Sequence, residues 1–270
     1  MPAVDLGSDT RAIVTGATAG IGRAVCVELA SRGVRLGLVA RGADRLGRLA
    51  AELAPAPGGP HLALPADVAD AEAISGAVED FVTEAGGLDL FVANAGLAHY
   101  RRFAEQPVAE AEEMIRVNVT GTTVSVHAAL GPMLDSGHGH IVVVSSGAGL
   151  RAFPQAAVYG ATKAFDKGLA EALRHELDGS GVSVTTVFPG EFTSDLHAHE
   201  RERLPDWRSN DEERDPAELA RAIADAVVAD RRGVYLPREV RLLGLNGIAP
   251  RVVDRILVRL RGRGAAPRSD

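Results

Sequence analysis

The 270-residue chain contains one cysteine, two lysines and few aromatic side chains, and each scarcity excludes something. The lone thiol, Cys26, rules out an internal disulfide and a multi-cysteine metal cluster, so no metal site is expected. It reads as a small buried hydrophobe. No apolar run approaches the roughly 18 residues of a membrane-spanning helix, and the opening MPAVDLGSDTR lacks the basic-then-apolar order of a signal peptide. A cytoplasmic protein is expected. A net charge of -7 disfavours binding to nucleic acid. Only Lys163 and Lys167 are lysines; the other 27 basic residues are arginines. A lysine retained in such a chain calls for a reason.

What is present is core material, 46% hydrophobic against 24% charged residues, arranged in a regular alternation. Short β-branched runs at 12–15, 35–39, 61–64, 88–93, 140–145, 182–188 and 234–236 read as strands. Segments of helical period fall between them at 23–31, 43–53, 71–85, 109–134, 158–177 and 216–229, the last opened by Asp215 as cap and Pro216 in the first turn. Strand and helix in strict turn predict a doubly wound α/β domain on a seven-stranded parallel sheet. Residues 1–237 are assigned to this one domain. The charged segment 194–211, carrying the only tryptophan, Trp207, is its substrate loop. Residues 238–270 are a basic, helical C-terminal extension of the same domain.

After the first strand, Thr15-Gly16-Ala17-Thr18-Ala19-Gly20-Ile21-Gly22 runs straight into a helix. Glycines there let backbone amides and a helix N-terminus approach a pyrophosphate, which makes the sheet Rossmann-like. In such folds a carboxylate at the end of the second strand grips the NAD ribose. Here Val39-Ala40-Arg41 offers a guanidinium instead, suited to a 2′-phosphate. NADP(H) is therefore the expected cofactor, with NAD(H) left open by the nearby Asp44. Asp67 and Val68 are candidates for the adenine. The small Asn94-Ala95-Gly96 turn is a candidate for close approach to the ribose.

Tyr159 and Lys163 lie four residues apart in a helix and so share a face. A free tyrosine loses its proton only near pH ~10, and an adjacent ammonium lowers that value. Lys163 supplies the ammonium, and can hydrogen-bond a nicotinamide ribose. Ser145 and Ser146 close the fifth strand, where Ser146 can hold a carbonyl oxygen on its way to alkoxide. Asn118, a poor helix former in an apolar stretch, can anchor a water that relays protons to Lys163.

With the glycine motif at 15–22, Asp67, Asn94 to Gly96, Asn118, Ser146, Tyr159 through Lys163, and Pro189-Gly190 followed by Thr193, the sequence resembles the classical short-chain dehydrogenase/reductase family over residues 8–237. The resemblance implies that Tyr159 is the proton donor, Ser146 the substrate-polarising group, Lys163 the activator and Asn118 the relay anchor. It implies further that Pro189, Gly190 and Thr193 contact the nicotinamide, and that long helices at 109–134 and 158–177 pair into homodimers or homotetramers. Phe192 departs from the smaller aliphatic residue common there.

The expected function is NADPH-dependent transfer of hydride to a ketone or aldehyde, or the reverse from a secondary alcohol. The substrate is a small molecule, apolar and of moderate size, because Leu97, Ala98, Leu150, Phe153 and Phe192 are expected to wall the pocket. His99 and Arg101 are expected at the surface. Alternatives are reduction of a carrier-bound 3-oxoacyl group, and a catalytically silent dinucleotide-binding regulator. The tail from 231 holds ten arginines against three acids, +7 beside a body of -14. Within it, 249–263 is an amphipathic basic helix whose apolar stripe is covered by the body, a partner subunit or an anionic membrane surface, in that order of preference.

Overall fold

The computed structural model describes residues 4–193, 213–251 and 255. Seven strands form: β1 (Arg11–Thr15), β2 (Arg35–Ala40), β3 (Leu62–Pro65), β4 (Leu90–Ala93), β5 (Gly139–Val144), β6 (Val182–Pro189) and β7 (Gly233–Leu236). All pair in parallel, in the order β3-β2-β1-β4-β5-β6-β7. The chain works outward from β1 to β3 and then returns to place β4 on the other side of β1. That reversal opens a crevice above the carboxyl ends of β1 and β4, where open α/β sheets bind ligands.

A parallel sheet covered on both faces needs continuous apolar strands, and β5 is buried at every position. Helices α1 (Gly20–Ser31), α2 (Ala43–Glu52) and α8 (Pro216–Val228) cover one face, joining Leu29, Leu49 and Ile223 to Leu36 and Val142. The other face packs Phe81 of α3 (Ala71–Ala85) with Phe91 and Ile141. Local chemistry sets the helix ends. Asp70 caps α3 by accepting from the Glu72 and Ala73 amides, and Gly86, at φ +80°, ends it in the left-handed region. Asp215 accepts from the Ala217 amide ahead of α8, as the Asp-Pro pair predicted.

The helix expected to run unbroken over 109–134 is interrupted. It consists of α4 (Val108–Met114), a π-helical turn over Ile115–Thr120 and α5 (Gly121–Ser136). The wider turn lets the fully buried Asn118 tie itself to a neighbouring loop, and Gly121 follows where Val68 leaves no room for a Cβ. Two short helical pieces were not expected: a 3₁₀ turn over Phe103–Glu105 and α6 (Gly147–Leu150), before the long α7 (Ala157–Glu176); the C-terminal extension opens with a 3₁₀ stretch over Arg238–Gly247. That stretch sets Val240 and Leu243 against Gly147, and Val240 also faces Gly190. Among the described residues no helix is long and apolar enough to cross a membrane.

At the amino ends of the strands, polar side chains answer one another. Asp89 accepts from the Arg11 amide, Nε and Nη2 at 2.8, 2.8 and 2.7 Å. Arg35, 6% exposed, donates to the Pro60 and Glu84 carbonyls. His140 is fully buried on β5, with Nε2 2.8 Å from Thr185 Oγ1. The Thr185 proton goes to the Arg231 carbonyl, so the ring must donate through Nε2, and its Nδ1 is left without a partner. Burial pushes this imidazole down to about 4.

Candidate active site

The site begins where β1 turns into α1. Gly16 has φ +66°, and a Cβ there would press on Asn94 Nδ2 and the Ala95 backbone. At Gly22 a Cβ would land on the Gly16 carbonyl oxygen. Thr15 Oγ1 accepts from the Asn94 and Ala95 amides, and Asn94 Nδ2 donates to the Thr15 carbonyl at 3.0 Å. The Asn94 side chain therefore holds the glycine turn to the end of β4. No side chain caps α1, whose N-cap is Ala19, and its first turn holds no acid. The leading amides of Gly20, Ile21 and Gly22 are left as donors for an anion, so the turn fits the pyrophosphate of a dinucleotide.

Past β2, Arg41 is exposed, and so is Asp44 in the first turn of α2. Arg45, which the sequence reading passed over, folds back beside Gly42, with Nε 3.3 Å from where a Cβ would sit. Neither guanidinium has an ion-pair partner among the described residues. After β3, Asp67 Oδ1 accepts from the Ala69 amide, Arg116 stands 3.7 Å from Oδ2, and Val68 packs on the start of α5.

Across the crevice, the end of β5, α6 and α7 bring the proton chemistry together. Tyr159 is 7% exposed, its ring tilted against Tyr100 at 6.1 Å between centroids, in an apolar cluster with Ala98, Met114, Ala148 and Ala156. Leu97, Phe153 and Val158 pack around that cluster. The Tyr159 hydroxyl makes no hydrogen bond among the described residues, whereas its backbone is fixed. Thr162 Oγ1 donates to the Tyr159 carbonyl and accepts in turn from Asn118 Nδ2. Asn118 also clasps the Leu97 backbone, Oδ1 accepting from its amide and Nδ2 donating to its carbonyl, both at 2.9 Å. Both amide protons of Asn118 are thus engaged, and acceptor capacity remains.

Ser146 caps α6, its Oγ accepting from the Ala148 amide at 3.1 Å, which leaves the hydroxyl proton to point elsewhere. Ser145 is different: it is 2% exposed and donates to the Lys163 carbonyl at 2.7 Å, a purely internal bond. Lys163 is 5% exposed, with Nζ 2.9 Å from the Val144 carbonyl and 3.0 Å from Asp166 Oδ2. Burial pulls the ammonium down, but Asp166 and Tyr159 outweigh it and hold Lys163 above the ordinary lysine range.

Some expectations are corrected. His99 and Arg101 are not surface groups: their side chains are 12% and 14% exposed and pair with Glu113 at 3.1 Å and Glu110 at 2.8 Å on α4. Phe192, expected in the pocket wall, is 4% exposed and belongs to the core cluster with Val187 and Leu219. Its larger ring fills core space behind the Pro189 to Thr193 segment, which Gly190 ties to the Leu236 carbonyl and Thr193 to that of Arg214. The loop at 194–211 with Leu204 and Trp207, and most of the amphipathic segment 249–263, lie outside the described residues. Asp166 was missed, since a charge three residues past a lysine on a helix looks like an ordinary surface pair.

A family model described as short chain dehydrogenase matches residues 10–205. An uncharacterized oxidoreductase of Myxococcus xanthus is 39% identical over 194 residues, 72% of this chain and 76% of that protein. A glycine betaine reductase of Emericella nidulans is 38% identical over 185 residues, but this chain spans only 14% of that protein's length. A short-chain type dehydrogenase/reductase from Mycobacterium marinum has the same fold, with a TM-score of 0.77 at 28% identity over 86% of this chain and 94% of that one. An alcohol dehydrogenase from Thermococcus sibiricus, solved with 5-hydroxy-NADP, gives 0.74 at 29% identity over 84% and 94%. Matched by the family model over well more than half its length, the chain belongs to the short-chain dehydrogenase/reductase family and is an oxidoreductase.

Proposed function

We propose that the protein interconverts a ketone or aldehyde with the corresponding secondary or primary alcohol, that it prefers NADP(H) over NAD(H), and that its substrate is a small, mainly apolar molecule of moderate size. The observation that carries this reading is Tyr159: a buried tyrosine whose hydroxyl has no partner among the described residues stands inside an apolar wall, one helical turn from a charged lysine.

Gly16, Thr18, Gly20, Ile21 and Gly22 would hold the pyrophosphate. Asp67 and Val68 would take the adenine, Asn94, Ala95 and Gly96 the adjoining ribose, and Pro189, Gly190 and Thr193 the carboxamide, with Tyr159 and Lys163 at the nicotinamide ribose. When bound, the nicotinamide supplies or accepts the hydride. In reduction Ser146 donates to the carbonyl oxygen, drawing charge onto it, and Tyr159 gives that oxygen its proton. Lys163 steadies the phenolate so formed, and Asn118 keeps an acceptor for a water through which the proton returns. In oxidation the same groups run in reverse.

NADP(H) is favoured by two guanidiniums, Arg41 and Arg45, at a strand end without a carboxylate. Assembly into homodimers or homotetramers is favoured by Ala164, Gly168 and Ala172, which leave a small-residue face of α7 exposed. Residues 194–211 and the extension from 238 are read as parts of one catalytic domain.

The test is NADPH oxidation at 340 nm against a panel of hydrophobic ketones, with intact enzyme and Tyr159→Phe. Turnover should fall by roughly 10³-fold or more while the dinucleotide Kd by calorimetry stays within about threefold. Substantial carbonyl reduction by the variant overturns the reading.

A further inference from the structure

Asp166 is a buried carboxylate beside the site that the proton chemistry above does not use. Its side chain is 1% exposed on α7, and Oδ2 lies 3.0 Å from Lys163 Nζ. Further along the same helix, inward-facing Ala170 and Leu173 pack as aliphatic residues. A carboxylate in such a place is costly unless it is paired, and here only half of it is. Oδ1 is enclosed without a hydrogen bond of ordinary geometry, and burial holds the carboxyl above the ordinary aspartate range although Lys163 and, more weakly, the Thr122 hydroxyl favour its charge.

The pair also fixes the geometry of the ammonium. Of the three N–H bonds on Lys163 Nζ, one goes to the Val144 carbonyl and one to Asp166. The third is left, and Gly96, three residues past β4, lies beside Nζ, which is 3.6 Å from where a Cβ on that glycine would stand.

We propose that Asp166 is a positioning residue for the reaction: it keeps the Lys163 ammonium charged and aims its one remaining N–H at the reacting side of the crevice. The proposal rests on the roles given to Tyr159 and Lys163 above. Two effects compete when this carboxylate is removed. A counter-charge lost next to Lys163 would strengthen the pull of the cation on Tyr159, but only while the cation survives. Buried lysines without a counter-ion fall by as much as ~3–5 pH units, so loss of the proton wins. The other groups acting on the pair are Tyr159 on the same helix, the Val144 carbonyl from β5 and Thr122 from α5; Tyr159 alone among these can titrate.

Because the chain has only two lysines, protein grown on lysine carrying ¹³C at Cε gives two side-chain NMR signals, assigned with Lys167→Arg. In the intact enzyme the Lys163 signal should not titrate below pH ~10. Asp166→Asn keeps the shape and an acceptor but removes the charge. It should bring the Lys163 titration down by more than about one unit and move the Tyr159 phenolate absorbance near 295 nm, assigned by difference with Tyr159→Phe, to higher pH. In the same variant kcat should fall at least about tenfold while KM for the carbonyl substrate changes less than about threefold. An unchanged Lys163 titration in the variant, or a phenolate that forms at lower pH, overturns the proposal. If the variant does not fold, the intact enzyme decides, because a Lys163 that sheds its proton below pH ~9 leaves nothing for Asp166 to maintain. If instead Tyr159→Phe turns over normally, the catalytic reading fails while the lysine titration still reports on the pair.

Discussion

The two ends of the sheet treat polar side chains in opposite ways. At the amino ends of the strands Asp89, Arg11, Arg35, His140 and Thr185 are buried or half-buried, and nearly every donor meets an acceptor. At the carboxyl ends, among the described residues, the Ser146 proton and the Tyr159 hydroxyl meet no partner, and the first turn of α1 has no side-chain cap. Burial and polarity are similar at both ends. What separates structure from chemistry is whether the hydrogen-bonding capacity has been used up within the protein.

Substitutions at the two ends should therefore fail in different ways. After Tyr159→Phe, the largest effect is expected from Ser146→Ala, which removes the donor to the carbonyl oxygen and should lower kcat by about 10²–10³-fold. Its thermal unfolding should shift little, because only the cap of the four-residue α6 is lost, about 1 kcal/mol or less. A variant with near-normal kcat would place Ser146 among the merely structural groups. Asp89→Ala should do the reverse. Three charge-assisted bonds from Arg11 are lost, leaving its guanidinium only the Gly86 carbonyl and solvent, at about 3 kcal/mol, the low end for broken buried pairs because Arg11 is partly exposed. Denaturant unfolding should report that loss with kcat per folded molecule unchanged.

His140 sharpens the comparison through pH. Its folded value of about 4 lies below the ordinary 6.5, so between them the unfolded chain binds more protons than the folded one. The contribution of the neutral ring is complete above pH ~6.5 and drains away as pH falls toward 4, about 2 kcal/mol by pH 5. Chemical denaturation at pH 7 and 5 should show this decline in the intact protein and a smaller one in His140→Gln. Equal declines would mean that the ring is not the group responsible. The smallest effect is at the rim: Arg41→Asp should shift the ratio of kcat/KM for NADPH over NADH by roughly tenfold toward NADH, with Arg45 limiting the change. An unmoved ratio would assign the choice to Arg45 or to neither.

The parallel sheet was legible because each strand is an apolar run with turn residues at both ends, and the observed bounds differ from the expected ones by a residue or two. Asp70 with Gly86, and Asp215 with Pro216, mark helix ends by local chemistry and were equally readable. The Tyr159 and Lys163 pair could be read because a helix fixes the geometry of residues four apart. What escaped depends on contacts between distant segments. His99 and Arg101 look like surface charges until α4 brings Glu113 and Glu110 against them. Phe192 looks like a pocket residue until the core beneath it is seen. Asp166 has the spacing of a solvated ion pair, and only its burial reveals otherwise.

The π-helical turn at Ile115–Thr120 amounts to one surplus residue threaded into an otherwise continuous helix. Each residue of an α-helix advances by about 100°, so the surplus sets α4 and α5 out of phase with each other by that angle. Met114 and the α4 acids that hold His99 and Arg101 are aligned by one phase, and the face that α5 lays against α3 by the other. Asn118 stands at the seam. Deleting a single residue there would heal the helix into a regular rod, yet no rotation of that rod could satisfy both faces. The irregularity is thus a phase adapter, and the crevice keeps its shape because the helix beside it is out of step with itself.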